Sequence, residues 1–75
     1  MDILKIESKE TLTREEAAAR LRAIADALAV HNEVELDWGD KRLRVHVADQ
    51  VRMEVEVEVE DDEIEFEIEL KWGRP

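Results

Sequence analysis

Cysteine is absent from the 75 residues, so disulfide staples and thiolate metal sites are excluded. Only two glycines, Gly39 and Gly73, are present. That leaves no phosphate-cradling loop and no dinucleotide-binding glycine motif. Ser8 is the sole serine and stands outside any Gly-x-Ser-x-Gly context. There is no tyrosine, and the aromatics are Trp38, Phe66 and Trp72. No apolar run approaches the ~20 residues of a membrane-spanning helix. Residues 1–7 show no basic region followed by an apolar stretch, so no secretion signal is expected and the expected address is cytoplasmic.

Bases are also scarce where acids are dense. The net charge is −10. Residues 1–52 hold eleven acids and nine bases, for −2, whereas residues 53–75 hold ten acids and two bases, for −8. A field of this sign repels nucleic acid and anionic lipid and attracts cations or basic proteins. Disorder is the other reading of high charge. It is set aside because the chain is 44% hydrophobic and its apolar residues recur at structural periods.

The acids follow one such period. From Met53 to Leu70 the chain alternates apolar and acidic residues around Asp61 and Asp62. Period two is the mark of a half-buried strand, so two strands with an intervening turn are expected. Met53, Val55, Val57, Val59, Ile64, Phe66, Ile68 and Leu70 form one face. Glu54, Glu56, Glu58, Glu65, Glu67 and Glu69 form the other.

Upstream, residues 3–9 read as a first strand, with Leu4 and Ile6 on one face and Lys5, Glu7 and Lys9 on the other. Thr13 and Glu16 make a capping box, preceded by Leu12 at the staple position. The helix they open spans 14–30. Ala17, Leu21, Ile24, Ala25 and Leu28 form its apolar stripe, and seven alanines between 17 and 29 favour helix. His31 and Asn32 close it. A second strand, 33–38, turns at Gly39-Asp40, with glycine placed for a type II′ turn. It returns as a third strand, 41–47. Strands at 51–60 and 63–72 follow.

The expected fold is therefore α+β: one helix on one face of a five-stranded, mainly antiparallel sheet, in chain order β-α-β-β-β-β. The whole chain is one domain, 1–75, with its core at about 3–72. Turn positions set the outward register. Asp37 faces Arg42, Glu35 faces Arg44 and Glu33 faces His46. The third strand, as a basic rib, also faces the fourth, with Arg44 opposite Glu54 and Arg42 opposite Glu56. Across Asp61 and Asp62 the complementarity fails. Glu54 meets Glu69, Glu56 meets Glu67 and Glu58 meets Glu65, and opposed like charges destabilise a sheet. Lys5 and Lys9 would relieve this if the first strand lay beside the fifth, giving the spatial order 2-3-4-5-1. Trp38 and Trp72 have inward parity and would sit at opposite ends of the core.

The acidic face carries the functional question. Its plain reading is a solvated surface, or adaptation to a salty cytoplasm, where molar salt shrinks the Debye length to about 3 Å. Its functional reading is a landing surface for a basic protein or peptide, or for diffuse cations. Carboxylates on a flat sheet diverge, so no selective metal site is expected. His31 and His46 lack the neighbours that catalysis needs, and neither catalytic nor cofactor-binding residues are expected. Trp38 and Trp72 are core residues in the plain reading and aromatic anchors for a partner in the other. The expected function is a non-enzymatic interaction or adaptor module acting through the acidic face or an edge strand. The alternative is a structural homodimer, formed through edge strands or the alanine-rich helix, whose acids serve solubility.

Three segments together resemble the amphi-Trp domain family, small modules of bacteria and many, often halophilic, archaea. They are Thr-Arg-Glu-Glu-Ala-Ala-Ala-Arg-Leu at 13–21, the valine–glutamate alternation at 51–60, and Glu-Leu-Lys-Trp at 69–72. Trp72, after a basic residue, matches the tryptophan that names the family, and Trp38 is not part of the resemblance. The resemblance implies a standalone domain and a prokaryotic, salt-adapted setting. It brings no assigned activity and no catalytic residue to carry over.

Overall fold

The computed structural model describes residues 4–38 and 40–74, with Trp38 by its backbone alone. In chain order the elements are α1 (Arg14–Val30), β1 (Glu33–Trp38), β2 (Lys41–His46), β3 (Arg52–Val59) and β4 (Ile64–Lys71). Helix α1 begins where the capping box places it. The Glu16 amide donates to Thr13 Oγ1 at 3.1 Å. The Thr13 hydroxyl in turn donates to Glu16 Oε1 at 2.9 Å. At the other end the His31 N–H donates to the Ala27 carbonyl at 2.8 Å.

The strands make two separate antiparallel hairpins, β1–β2 and β3–β4, instead of one five-stranded sheet. Within each hairpin the register is the expected one. Glu33 faces His46, Glu35 faces Arg44 and Asp37 faces Arg42. Arg44 Nε lies 3.2 Å from Glu35 Oε1, and Arg42 Nε lies 3.2 Å from Asp37 Oδ1. The turn type expected at Gly39 lies outside the described residues, but the pairing of Trp38 with Lys41 shows a two-residue connection.

Between the hairpins the expectation fails. Arg44 and Arg42 do not face Glu54 and Glu56, because β2 and β3 do not pair. The end of β2 has a different partner: the Trp72 indole Nε1–H donates to the His46 carbonyl at 3.0 Å. Beside it the Val47 amide donates to the Asn32 carbonyl at 2.8 Å. The carbonyl that would start a β2–β3 ladder is therefore occupied by a side chain, and residues 47–51 carry the chain away before β3 begins.

The first strand is also corrected. Residues 4–13 form no strand; the part of that expectation resting on Ile3 lies outside the described residues. Arg20 ties this segment to the helix, with Nη2 at 2.8 Å from Glu10 Oε2. Lys9 pairs with its neighbour Glu7 at 3.3 Å and not with the glutamates of β4.

Packing follows from these departures. Helix α1 returns through only His31 and Asn32, so it lies against β1. A helix is about 10–12 Å wide and strands are about 4.8 Å apart, so one helix covers about two strands. Its alanines offer little apolar area, and no helix residue is fully buried. Val47, at 5% exposure, is the only buried hydrophobic among the described residues. Leu28, Val34, Leu43 and Val45 are half-buried. The apolar face of β3–β4, expected under the helix, is open instead: Val59, Ile64 and Phe66 are 70%, 72% and 65% exposed.

Candidate functional site

The acidic face is built by one hairpin and closed by one turn. The Glu60 amide donates to the Glu63 carbonyl at 2.8 Å across Asp61 and Asp62. This fixes the register, and the register stacks Glu54 on Glu69, Glu56 on Glu67 and Glu58 on Glu65. All six side chains are exposed.

The ladder is uneven along its length. At the open end Arg52 pairs with Lys71 across the strands. Arg52 Nη2 lies 3.3 Å from Glu54, and Lys71 Nζ lies 3.2 Å from Glu69. The hydrogen bond to Glu69, then the charges of Glu69 and Glu54, hold the Lys71 amine above the usual lysine range. Towards the turn no base answers Glu56, Glu58, Glu65 or Glu67 among the described residues. There the Glu67 carboxyl is pushed above the usual carboxylate range. A hydrogen bond with Glu65 is the largest cause, followed by the charge of Glu65, desolvation, and the charges of Glu56 and Glu69. Glu67 thus holds its proton more tightly than a free glutamate, because ionising it places another negative charge in an anionic row.

Sequence reasoning found the six glutamates but not the partition between a compensated base and an uncompensated tip. The signal was present, since Arg52 and Lys71 share the outward parity of the glutamates. Trp72, weighed as a partner anchor, is half-buried and binds the His46 carbonyl. The side chain of Trp38, weighed in the same way, lies outside the described residues.

Elsewhere, His31 and Asn32 line a shallow cleft with Glu33, Glu35 and Arg44, and neither His46 nor Ser8 shares it. A second cleft of about 430 Å³ lies between α1 and the open end of β3–β4. Leu21, Ile24 and Leu28 line one side and Met53, Ile68 and Leu70 the other. Among the described residues no group of three or more histidine, aspartate or glutamate side chains converges to hold a metal ion. No described helix is long and apolar enough to cross a membrane.

These features define a class: a small α+β domain whose amphipathic hairpin is joined to the rest of the molecule by a tryptophan. The chain belongs to the Amphi-Trp domain family, whose profile matches residues 1–75. Comparison with curated proteins and with solved structures gives no significant match.

Proposed function

We propose that this domain is a non-enzymatic interaction module that receives a basic protein or peptide on the acidic face of β3–β4. The observation that carries the reading is the uncompensated tip. Four glutamates lie together without a cationic neighbour, and one of them holds its proton above the usual range because of the others. A lysine- or arginine-rich segment laid along the tip would supply the missing charges and lower the raised Glu67 pKa. Steering by a field of one sign raises association rates and makes them salt-dependent. Diffuse cations would occupy the same face more weakly. A cytoplasmic address and adaptation to high salt both accord with the cysteine-free, acid-rich composition.

The test is a calorimetric titration with a peptide of alternating lysine and apolar residues, at low and at high potassium chloride. Wild type should bind at low salt and weaken as salt rises. The double variant Glu56→Lys/Glu67→Lys should not bind, while Glu33→Lys, on the other hairpin, should bind like wild type. Equal binding by wild type and the double variant would overturn the reading.

A further inference from the structure

The opposite face of the same hairpin needs an occupant. A folded monomer of 8.8 kDa exposes about 4,800 Å² by the usual scaling with mass. This chain exposes 7434 Å², an excess of roughly 2,600 Å². Its radius of gyration is 14.2 Å, where about 11 Å is typical of 75 residues. Many of the exposed large hydrophobics gather on one surface. Val55, Val57, Val59, Ile64, Phe66 and Ile68 share a side of β3–β4, each 46–72% exposed. Helix α1 lies against β1; it faces only the open end of this side, across the cleft that Met53, Ile68 and Leu70 line, and is not packed on it. An uncovered two-stranded hairpin is marginal in water.

We propose that two copies of this chain pack the apolar faces of their β3–β4 hairpins together about a two-fold axis. The inference uses the side opposite the acidic face and stands or falls separately from binding of a basic partner. Three features favour a second copy. The first is area: a third of the excess matches the roughly 800 Å² per partner of a standard interface. The second is charge. Strict alternation leaves the apolar face without an ionisable side chain from Met53 to Val59 and from Ile64 to Leu70. Facing sheets pack about 10 Å apart, which would leave the two glutamate faces on the order of 20 Å apart on the outside. That exceeds the Debye length of about 8 Å at physiological ionic strength, so a net charge of −10 per chain does little to oppose this approach. The third is symmetry. A flat patch of valine, isoleucine and phenylalanine is self-complementary, as a two-fold interface requires. The edge strands and the alanine-rich helix, the routes considered from sequence, offer less: β1 carries Glu33, Glu35 and Asp37, and α1 carries little apolar area.

The experiment is light scattering on the eluting full chain, from low micromolar to near-millimolar, joined to site-directed crosslinking. Wild type should have twice the 8.8 kDa chain mass. Val57→Glu should weaken self-association about a hundredfold or more, because dimerisation would bury an unpaired carboxylate. Crosslinking keeps the proposal testable if that variant fails to fold. The natural chain has no cysteine, so single cysteines can be introduced in turn. Facing sheets exceed the roughly 7 Å reach of a disulfide, so a short bifunctional maleimide is used. Val57→Cys should crosslink into dimers, whereas Glu56→Cys on the acidic face and Glu35→Cys on the β1 edge should not. A wild-type monomer at every concentration would overturn the proposal. So would a dimer that crosslinks through Glu35→Cys or Glu56→Cys but not through Val57→Cys, or a monomer whose apolar face is taken up by detergent micelles.

Discussion

Replacing Trp72 with phenylalanine tests how the two halves of the molecule are held together. Among the described residues, the indole N–H to the His46 carbonyl, at 3.0 Å, is the only hydrogen bond joining β3–β4 to β1–β2. Phenylalanine keeps an aromatic ring at this half-buried position but has no donor. A typical intramolecular hydrogen bond contributes about 0.5–1.5 kcal/mol net. His46 is exposed, so water can reach the freed carbonyl and the lower half of that range applies. The smaller ring adds a comparable loss of packing, giving about 1–2 kcal/mol in all. The total stability expected of a domain this size is about 4–11 kcal/mol. For a domain of 60–100 residues, each kcal/mol lowers Tm by about 4–8 °C. Trp72→Phe should therefore melt roughly 4–16 °C below wild type in far-ultraviolet circular dichroism at matched protein concentration. Amide exchange should show where the loss falls, with protection dropping in β3–β4 and holding in β1–β2. A Tm within about 1 °C of wild type, with protection unchanged in both hairpins, would refute the role given to the indole.

Three further predictions concern other parts of the molecule. Thr13→Ala removes the acceptor of the Glu16 amide and should cost about 1 kcal/mol, read as a lower Tm with partial loss of helical signal. Acidification should act in two opposed stages. The Glu67 carboxyl has a raised pKa in the fold, so its contribution is fully present below its unfolded value and is lost as pH rises through the folded one. Glu10 is held below the usual range, first by its hydrogen bond with Arg20 and then by that charge, so its contribution is lost as pH falls through its folded pKa. Tm should rise as pH is lowered from neutral towards the ordinary glutamate range and fall below it; Glu67→Gln should flatten the rise and leave the fall. Glu58→Arg should raise Tm at low salt by placing a cation at the uncompensated tip, and the gain should shrink as potassium chloride is added.

Local signals in the chain were strong and interhairpin signals weak. The Thr13–Glu16 capping box and the alanine run define α1, and strict alternation defines β3 and β4. The two-residue connection between Trp38 and Lys41 and the turn at Asp61-Asp62 fix the register inside each hairpin, because so short a connection leaves no room to slip. Nothing comparable constrains residues 47–51. The apparent complementarity of Arg42 and Arg44 with Glu56 and Glu54 suggested a continuous meander, yet the same arginines are satisfied by Asp37 and Glu35. Residues 4–9 show how little a short alternation specifies when a single ion pair, Glu10 with Arg20, offers the segment another course. The glutamates of the candidate site could be read from parity alone. The open apolar face could not, since period two says which residues share a side and not whether anything covers it.

The indole bond has a consequence for the sequence of events in folding. Helix α1 and both hairpins close over short stretches of chain, events that take microseconds or less. Trp72, immediately after β4, and His46, at the end of β2, are 26 positions apart. Their meeting requires both hairpins to exist already, so it is a docking step between preformed units and not part of either nucleus. The fluorescence of Trp72 therefore reports the arrival of the second hairpin, a late event in an otherwise local assembly.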